Sequence, residues 1–393
     1  VTRAAVTIAV VLGLVLAFTR DAAAHARSVS WSAWRAQGDD LQVRVRVARF
    51  DLDAVPGLAA GSGAPASQAY LEKGLRAEGC AVIDGSYAAG VSDPDDVVGA
   101  WRLRCPDGAH VRITTDLFFD VLPAHVHFAS LLDAGGKATA ERVLTADART
   151  WDLGRNGPAA STGVGGFVLL GARHVATGAD HLVFLLALLA GATSLRALAA
   201  VVTGFTIGHS STLALAVLGG VRPDAAVVEA LIGASIAVVA VENVWLEERD
   251  PWTAWGLVVA FAAAAGASLV HASIAPWALV GLALFVASHF AVLARSKRPA
   301  SLRWTIAALF GAVHGLAFSG VLAEMHLPRG RVASSLFGFN VGVEIAQLAI
   351  VAVAWPLWRA VARGRARAPV LEVASAAALG AGAFWFVARA FGG

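Results

Sequence analysis

Six side chains able to hold a cation stand in sequence that is otherwise almost wholly apolar. His174-Val175-Ala176-Thr177-Gly178-Ala179-Asp180-His181 runs straight into LVFLLALLAG, and His209, His314 and Glu344 each interrupt later hydrophobic runs. Neutral imidazoles combined with carboxylates are a donor set for Ni, Zn or Co. At bilayer depth an ionisable group costs several kcal/mol, so it faces a partner, a wet cavity or an ion path. Ser210, Glu229, Asn340 and Gln347 add polar groups on the same segments. The leading expectation is a site that passes a divalent transition metal. The alternative is an intramembrane hydrolase in which a metal activates water and Glu344 or Asp180 acts as base, with Ser210 beside His209. The chain has no H-E-x-x-H, and no G-x(4)-G-K-[ST] that would bind a nucleotide. A third reading makes the chain a sensor or assembly protein.

The elements that must position these residues follow from composition. The chain of 393 residues is 57% hydrophobic and 15% charged, against about 25% charged in soluble domains. We expect an α-helical polytopic membrane bundle of about eight spans, at 164–191, 196–218, 224–246, 252–272, 274–294, 302–323, 332–357 and 370–391. Basic residues collect between spans: Arg295, Lys297, Arg298 and Arg303, then Arg359, Arg363, Arg365 and Arg367. Such loops mark the cytoplasmic face. The isoelectric point near 9.2 therefore reads as topology, with the lipid bilayer as partner and no nucleic acid.

Residues 1–24 have the pattern of a signal peptide, with Arg3, an apolar stretch from Ala4 to Phe18, and Ala22-Ala23-Ala24. The expected location is the bacterial cytoplasmic membrane, with the following domain outside the cytoplasm. That domain, 25–155, alternates apolar and basic residues in Leu41–Phe50, and 101–105, 111–115 and 121–128 read as further strands. A small β-sandwich-like domain with a helix near 67–77 is expected, then a linker at 156–163. Cys80 and Cys105, the two cysteines of the chain, are expected to form a disulfide in an oxidising compartment.

At ~1.5 Å per residue, His174, His209, His314 and Glu344 come out roughly 15–20 Å deep, near the bilayer midplane. His174 and His181 share a face if their helix is continuous, while Gly178 ahead of Asp180 suggests a break and restart, with Asp180 as the cap. Asn340, Glu344 and Gln347 form an i, i+4, i+7 stripe. Glu229 suits an entry path, and Glu242 and His289 read as snorkelling groups. His209 with Glu229, and His314 with Glu344, recur four spans apart like a parallel repeat. In the outer domain a terminal His25 with His125 and His127, which alternate about Val126, could capture a metal.

These residues resemble the HupE/UreJ family of bacterial membrane proteins, whose members are associated with hydrogenase and urease gene clusters and regarded as nickel permeases. The family's H-x5-D-H motif matches His174, Asp180 and His181. The strings TGFTIGHSSTLALA, VEALIGASIAVVAVEN, LFGAVHGLAFSGVLAE and FGFNVGVEIAQ resemble the branch that carries a large extracytoplasmic domain. The likeness is good over 164–246 and 302–360 and does not extend to the fourth and fifth spans. The chain departs from a second family motif, FHG-x-(A/V)-HG-x-E, because Phe310-Gly311-Ala312-Val313-His314-Gly315 keeps only the later His-Gly. Glu344 would then supply the carboxylate. The resemblance implies a permease for a divalent metal without fixing it as nickel.

Overall fold

The computed structural model describes residues 28–58, 64–89, 96–105, 111–153, 161–219, 221, 223–269, 274–296, 299–324 and 329–391. The expected signal segment, His25 and most of the expected linker lie outside these residues. The chain divides into two compact units, one within 25–167 with 321–335 and one built from 168–320 and 336–393.

The β-rich unit opens with β1 (Val29–Gln37) and β2 (Asp40–Ala48), then α1 (Arg49–Asp53) and α2 (Ala64–Gly74). Seven further strands follow: β3 (Leu75–Ala77), β4 (Ala81–Ala89), β5 (Asp96–Arg104), β6 (Arg112–Thr115), β7 (Val126–Leu132), β8 (Ala138–Leu144) and β9 (Thr150–Asp152). Six of the nine form one sheet in the order β4-β5-β2-β1-β7-β8, and β3-β6-β9 form the other. In β2 the period of two puts Leu41, Val43, Val45 and Val47 inside, with the intervening Arg44 exposed. They share a core with Leu75, Ile113 and Trp151 of the smaller sheet. Cys80 and Cys105 are disulfide-bonded. The strand expected at 121–128 begins only at Val126. Before it, Leu122 and His125 close tight backbone turns around Pro123, which has no N–H to give a ladder.

The second unit is helical: α3 (Val164–Thr177), α4 (Ala179–Ala190), α5 (Leu195–Gly219), α6 (Ala225–Glu248), α7 (Pro251–Ala267), α8 (Pro276–Arg295), α9 (Pro299–Glu324), α10 (Arg329–Ala362) and α11 (Arg367–Phe391). Among the described residues six helices are long and apolar enough to cross a membrane, and α3 with α4, bent by 72°, makes a seventh as one broken span. This is a multi-pass membrane protein. The expectation of eight spans is corrected at the fourth. There α7 has 17 residues, about 25 Å of helix against ~30 Å of hydrocarbon.

Glycine decides where helices cross. A Cβ on Gly208 of α5 would run into the carbonyl of Ala308, and one on Gly311 of α9 into the carbonyl of Phe205. The same reciprocal arrangement joins Gly171 to Gly342 at the α3–α10 crossing and Gly233 to Gly382 at the α6–α11 crossing. Lipid offers no hydrophobic drive between helices, so this close backbone packing is what holds them.

Candidate metal site

The broken span brings the first histidines together. At Gly178 a Cβ would lie 2.8 Å from the His174 carbonyl and 2.9 Å from Asp180 Oδ1. A side chain is therefore excluded where α3 ends and α4 restarts. The shared helical face expected for a continuous span is replaced by a bend, which sets the His174 and His181 rings 4.7 Å apart. Asp180 falls in the first turn of α4, where a carboxylate is favoured by the helix dipole. His209 follows Gly208 on α5 and His314 follows Gly311 on α9, so the tight crossing of those helices delivers both imidazoles. The His174–His209 and His181–His314 ring centroids lie 5.9 and 5.2 Å apart. All four histidines are buried.

Two overlapping donor sets result, His174 with His181 and His209, and Asp180 with His181 and His314, the ligand atoms of each lying within 4.8 Å of one another. A first-row ion binds each nitrogen at about 2 Å, so the donors of either set must draw closer together to hold one. Phe184, Phe205, Phe318 and Phe339 wall the cluster, with Phe318 4.5 Å and Phe339 5.1 Å from the His174 ring.

Hydrogen bonds set the tautomers of three rings. Asp180 Oδ1 accepts from His181 Nδ1 at 3.1 Å, leaving Nε2 as the lone-pair nitrogen. Asn340 donates its amide to the Leu336 carbonyl at 2.9 Å, so its Oδ1 faces His209 and accepts from Nδ1 at 3.2 Å. Ser235 gives its proton to the Ile232 carbonyl at 2.7 Å and thus accepts from His314 Nε2 at 3.2 Å. The lone pair of His314 is then on Nδ1. A histidine whose second nitrogen is held in this way is the usual metal-ligand arrangement.

The polar stripe on α10 faces α5. Besides Asn340, Glu344 Oε1 accepts from Thr203 at 2.7 Å, and Gln347 Oε1 accepts from Thr206 at 2.9 Å. Glu344 belongs to neither donor set, and its Oε2 is buried with no hydrogen-bond partner. Glu229 is elsewhere, paired at 2.7 Å with Arg389. Glu229 and Glu344 thus stand in different settings, although His209 and His314 share one cluster. Ser210 is half-buried and, as the neighbour of His209 on a helix, is directed away from that residue's face.

A profile of known proteins covers this region. The model described as HupE / UreJ protein matches residues 154–275 and 257–389, more than half of the chain. The chain belongs to the HupE/UreJ family. The match runs through the fourth and fifth spans, where the sequence strings alone showed no likeness. None of the curated proteins compared with the chain matches it. The HupE/UreJ motif residues His174, Asp180 and His181 lie at the helix break, and His314 of the partial second motif lies beside them.

Ser235 and the four phenylalanines were not singled out by sequence, because one hydroxyl or ring in an apolar helix has no distinguishing period. Glu242 and His289 do not snorkel. They are buried and bonded to each other at 2.9 Å, and Arg303, assigned by sequence to a basic loop, lies on α9 with its Nε 2.8 Å from Glu242. In the β-rich unit His125 and His127 do share a face, but they are buried. Ser28 and Ser30 hold the two ring nitrogens of His125 at 2.5 and 2.8 Å, and Ser30 and Ser32 hold those of His127 at 2.6 and 2.8 Å. With every ring nitrogen engaged, this pair has no atom for the metal capture that the alternation suggested.

Proposed function

We propose that this HupE/UreJ protein is a permease for a divalent transition metal, nickel or a similar ion such as cobalt or zinc, in the bacterial cytoplasmic membrane with its β-rich domain outside. One observation carries the reading. Four histidines from four helices converge, and three of them have their lone-pair nitrogen chosen by a bonded neighbour. Ligands prepared in this way suit an ion that is stripped of water and released again. In the reading, His174, Asp180, His181, His209 and His314 hold the ion near the midplane, and Glu344 receives it along the α5–α10 seam through its buried oxygen. The family's association with nickel and cobalt transport supports the same conclusion. Hydrolysis gains no comparable support, since Ser210 is turned off the cluster.

The test is radiotracer uptake of 63Ni or 57Co into proteoliposomes. His174→Ala, His181→Ala and His314→Ala should each abolish uptake while the protein still inserts in the membrane. Uptake at the wild-type level in all three variants would end the permease reading.

A further inference from the structure

A second polar cluster lies where α6 and α8 finish and α9 begins, apart from the histidine site. The Glu242 carboxylate is held between His289 Nε2 at 2.9 Å and Arg303 Nε at 2.8 Å. Arg303 also donates to Asn243 Oδ1 at 3.1 Å and to the Gly191 carbonyl at 2.5 Å. Asn243 in turn donates to the Ala187 carbonyl at 2.7 Å, which ties the end of α4 into the group. The side chains of His289 and Glu242 are 0% and 3% exposed, and that of Arg303 is 13% exposed.

An ion pair is an expensive way to join helices, because apolar residues of similar volume often do it as well or better. The atoms around the guanidinium explain the expense differently. Each is an acceptor: a carboxylate oxygen, an amide oxygen and a backbone carbonyl, with an imidazole bonded to the same carboxylate. This is a cage for a cation, and Arg303 fills it with its own. Gly191 belongs to the design, since a Cβ there would overlap Asn243 Oδ1. A cavity of about 10 Å³ beside Glu242 and Arg303 has room for about one water molecule. His289 Nδ1, on the side of the ring away from Glu242, is buried with no hydrogen-bond partner, so a turn of the ring presents a nitrogen to a cation held on that carboxylate. Arg303 is the fifth residue of α9, close enough to the helix end for its long side chain to swing to the interface.

Rings connect this cage to the histidine site. His314 meets Phe184 at 5.3 Å, Phe184 meets Phe310 at 6.2 Å, Phe310 meets Phe285 at 6.2 Å, and Phe285 meets His289 at 6.3 Å. A dry ring path of this kind is a hydrophobic constriction between two polar stations.

We propose that Glu242, His289 and Asn243 form a second, inner site for a divalent cation, in which the Arg303 guanidinium keeps the cation's place and swings out when the metal arrives. The proposal rests on the permease reading for the metal's route, as does the uptake arm of its test, while the Co(II) counts do not. Co(II) alone is the probe, with equilibrium dialysis and elemental analysis of purified full-length protein. Wild type should bind one Co(II) with the second site closed by Arg303. Arg303→Met should bind two, and Arg303→Met with Glu242→Gln should return to one. Arg303→Met with His181→Ala should keep one, held by the inner cage. An unchanged count in folded Arg303→Met overturns the inner site. No Co(II) on wild type but one on Arg303→Met overturns the histidine site and supports the inner one. If Arg303→Met does not fold, His289→Gln decides, because its amide still donates to Glu242. Co(II) uptake should then fall about tenfold while the wild-type Co(II) count stays at one. Uptake at the wild-type rate in His289→Gln overturns the proposal.

Discussion

His209 hands its Nδ1 proton to the side-chain oxygen of Asn340, 3.2 Å away and 131 residues further along the chain. The bond fixes which nitrogen of a cluster imidazole can meet a metal, and it does so from a residue that belongs to neither donor set. Removing such an orienting partner typically costs 10–100-fold in metal affinity. Asn340→Leu should therefore raise the Kd for Ni(II) or Co(II) about 10–100-fold by calorimetric titration, with the folded yield unchanged. Asn340→Asp keeps the acceptor and should retain binding. Equal affinity in Asn340→Leu and wild type would remove the orienting role.

Much of this site was legible because polar residues in lipid must be accounted for. The stripe Asn340, Glu344 and Gln347 does face one neighbour, and Gly178 does mark a break. What sequence could not supply was the partner of each group. Arg303 looks like a loop cation among Arg295, Lys297 and Arg298 until the fold sets Glu242 against it. His125 and His127 alternate as an exposed chelate would. Yet Ser28, Ser30 and Ser32 alternate with the same period, and parallel pairing sets Ser30 opposite His127. Helix length failed at α7, where apolar composition continues beyond the end of the helix at Ala267.

The α5–α9 crossing should tolerate no side chain at its centre. In Gly311→Ala the new Cβ meets the Phe205 carbonyl, and the helices must part, carrying His209 away from His314. Overpacking of this kind costs about 1–3 kcal/mol. Thermal melting of the purified variant should fall by several degrees, and metal uptake should fall with it. A variant that melts and transports like wild type would show that the crossing has slack.

Arg331, in the first turns of α10, pairs with the buried carboxylate of Glu141 and donates to the Thr162 carbonyl at 2.5 Å. Burial pushes the Glu141 carboxyl up, and the Arg331 charge and hydrogen bond pull it back. Arg331→Ala strands that charge, which should cost about 3–5 kcal/mol. Adding Glu141→Gln should recover much of the loss. A double-mutant cycle by thermal or chemical unfolding measures it, and additive effects would mean that the pair is not coupled.

The serine–histidine ladder between β1 and β7 should make the β-rich unit acid-sensitive. Trp34 can only donate, and it does so to Ser32 Oγ at 2.8 Å. One consistent polarity then runs from Ser32 through His127, Ser30 and His125 to Ser28, with both imidazoles neutral and carrying the proton on Nδ1. Burial pushes His127 down to about 3 and His125 well below 6.5, the nearby His127 adding to the latter. A depressed histidine stabilises the fold fully above pH 6.5, and that contribution is lost as pH falls toward the folded value. Asp51 acts in the opposite sense. Burial raises its carboxyl from 3.8 to about 7, which the Ser28 hydroxyl offsets only in part, so its cost to the fold grows as pH rises from about 4 to about 7. Between pH 6.5 and 4 two histidines oppose one aspartate, so acidification destabilises the unit on balance. Hydrogen exchange of β1 and β7 amides in the full chain should quicken from pH 6.5 to 4, after correction for intrinsic rates. His127→Gln should flatten that dependence, and Asp51→Asn should steepen it while stabilising the unit at pH 8. Acid-independent protection in wild type would mean that the ladder does not titrate as its burial requires.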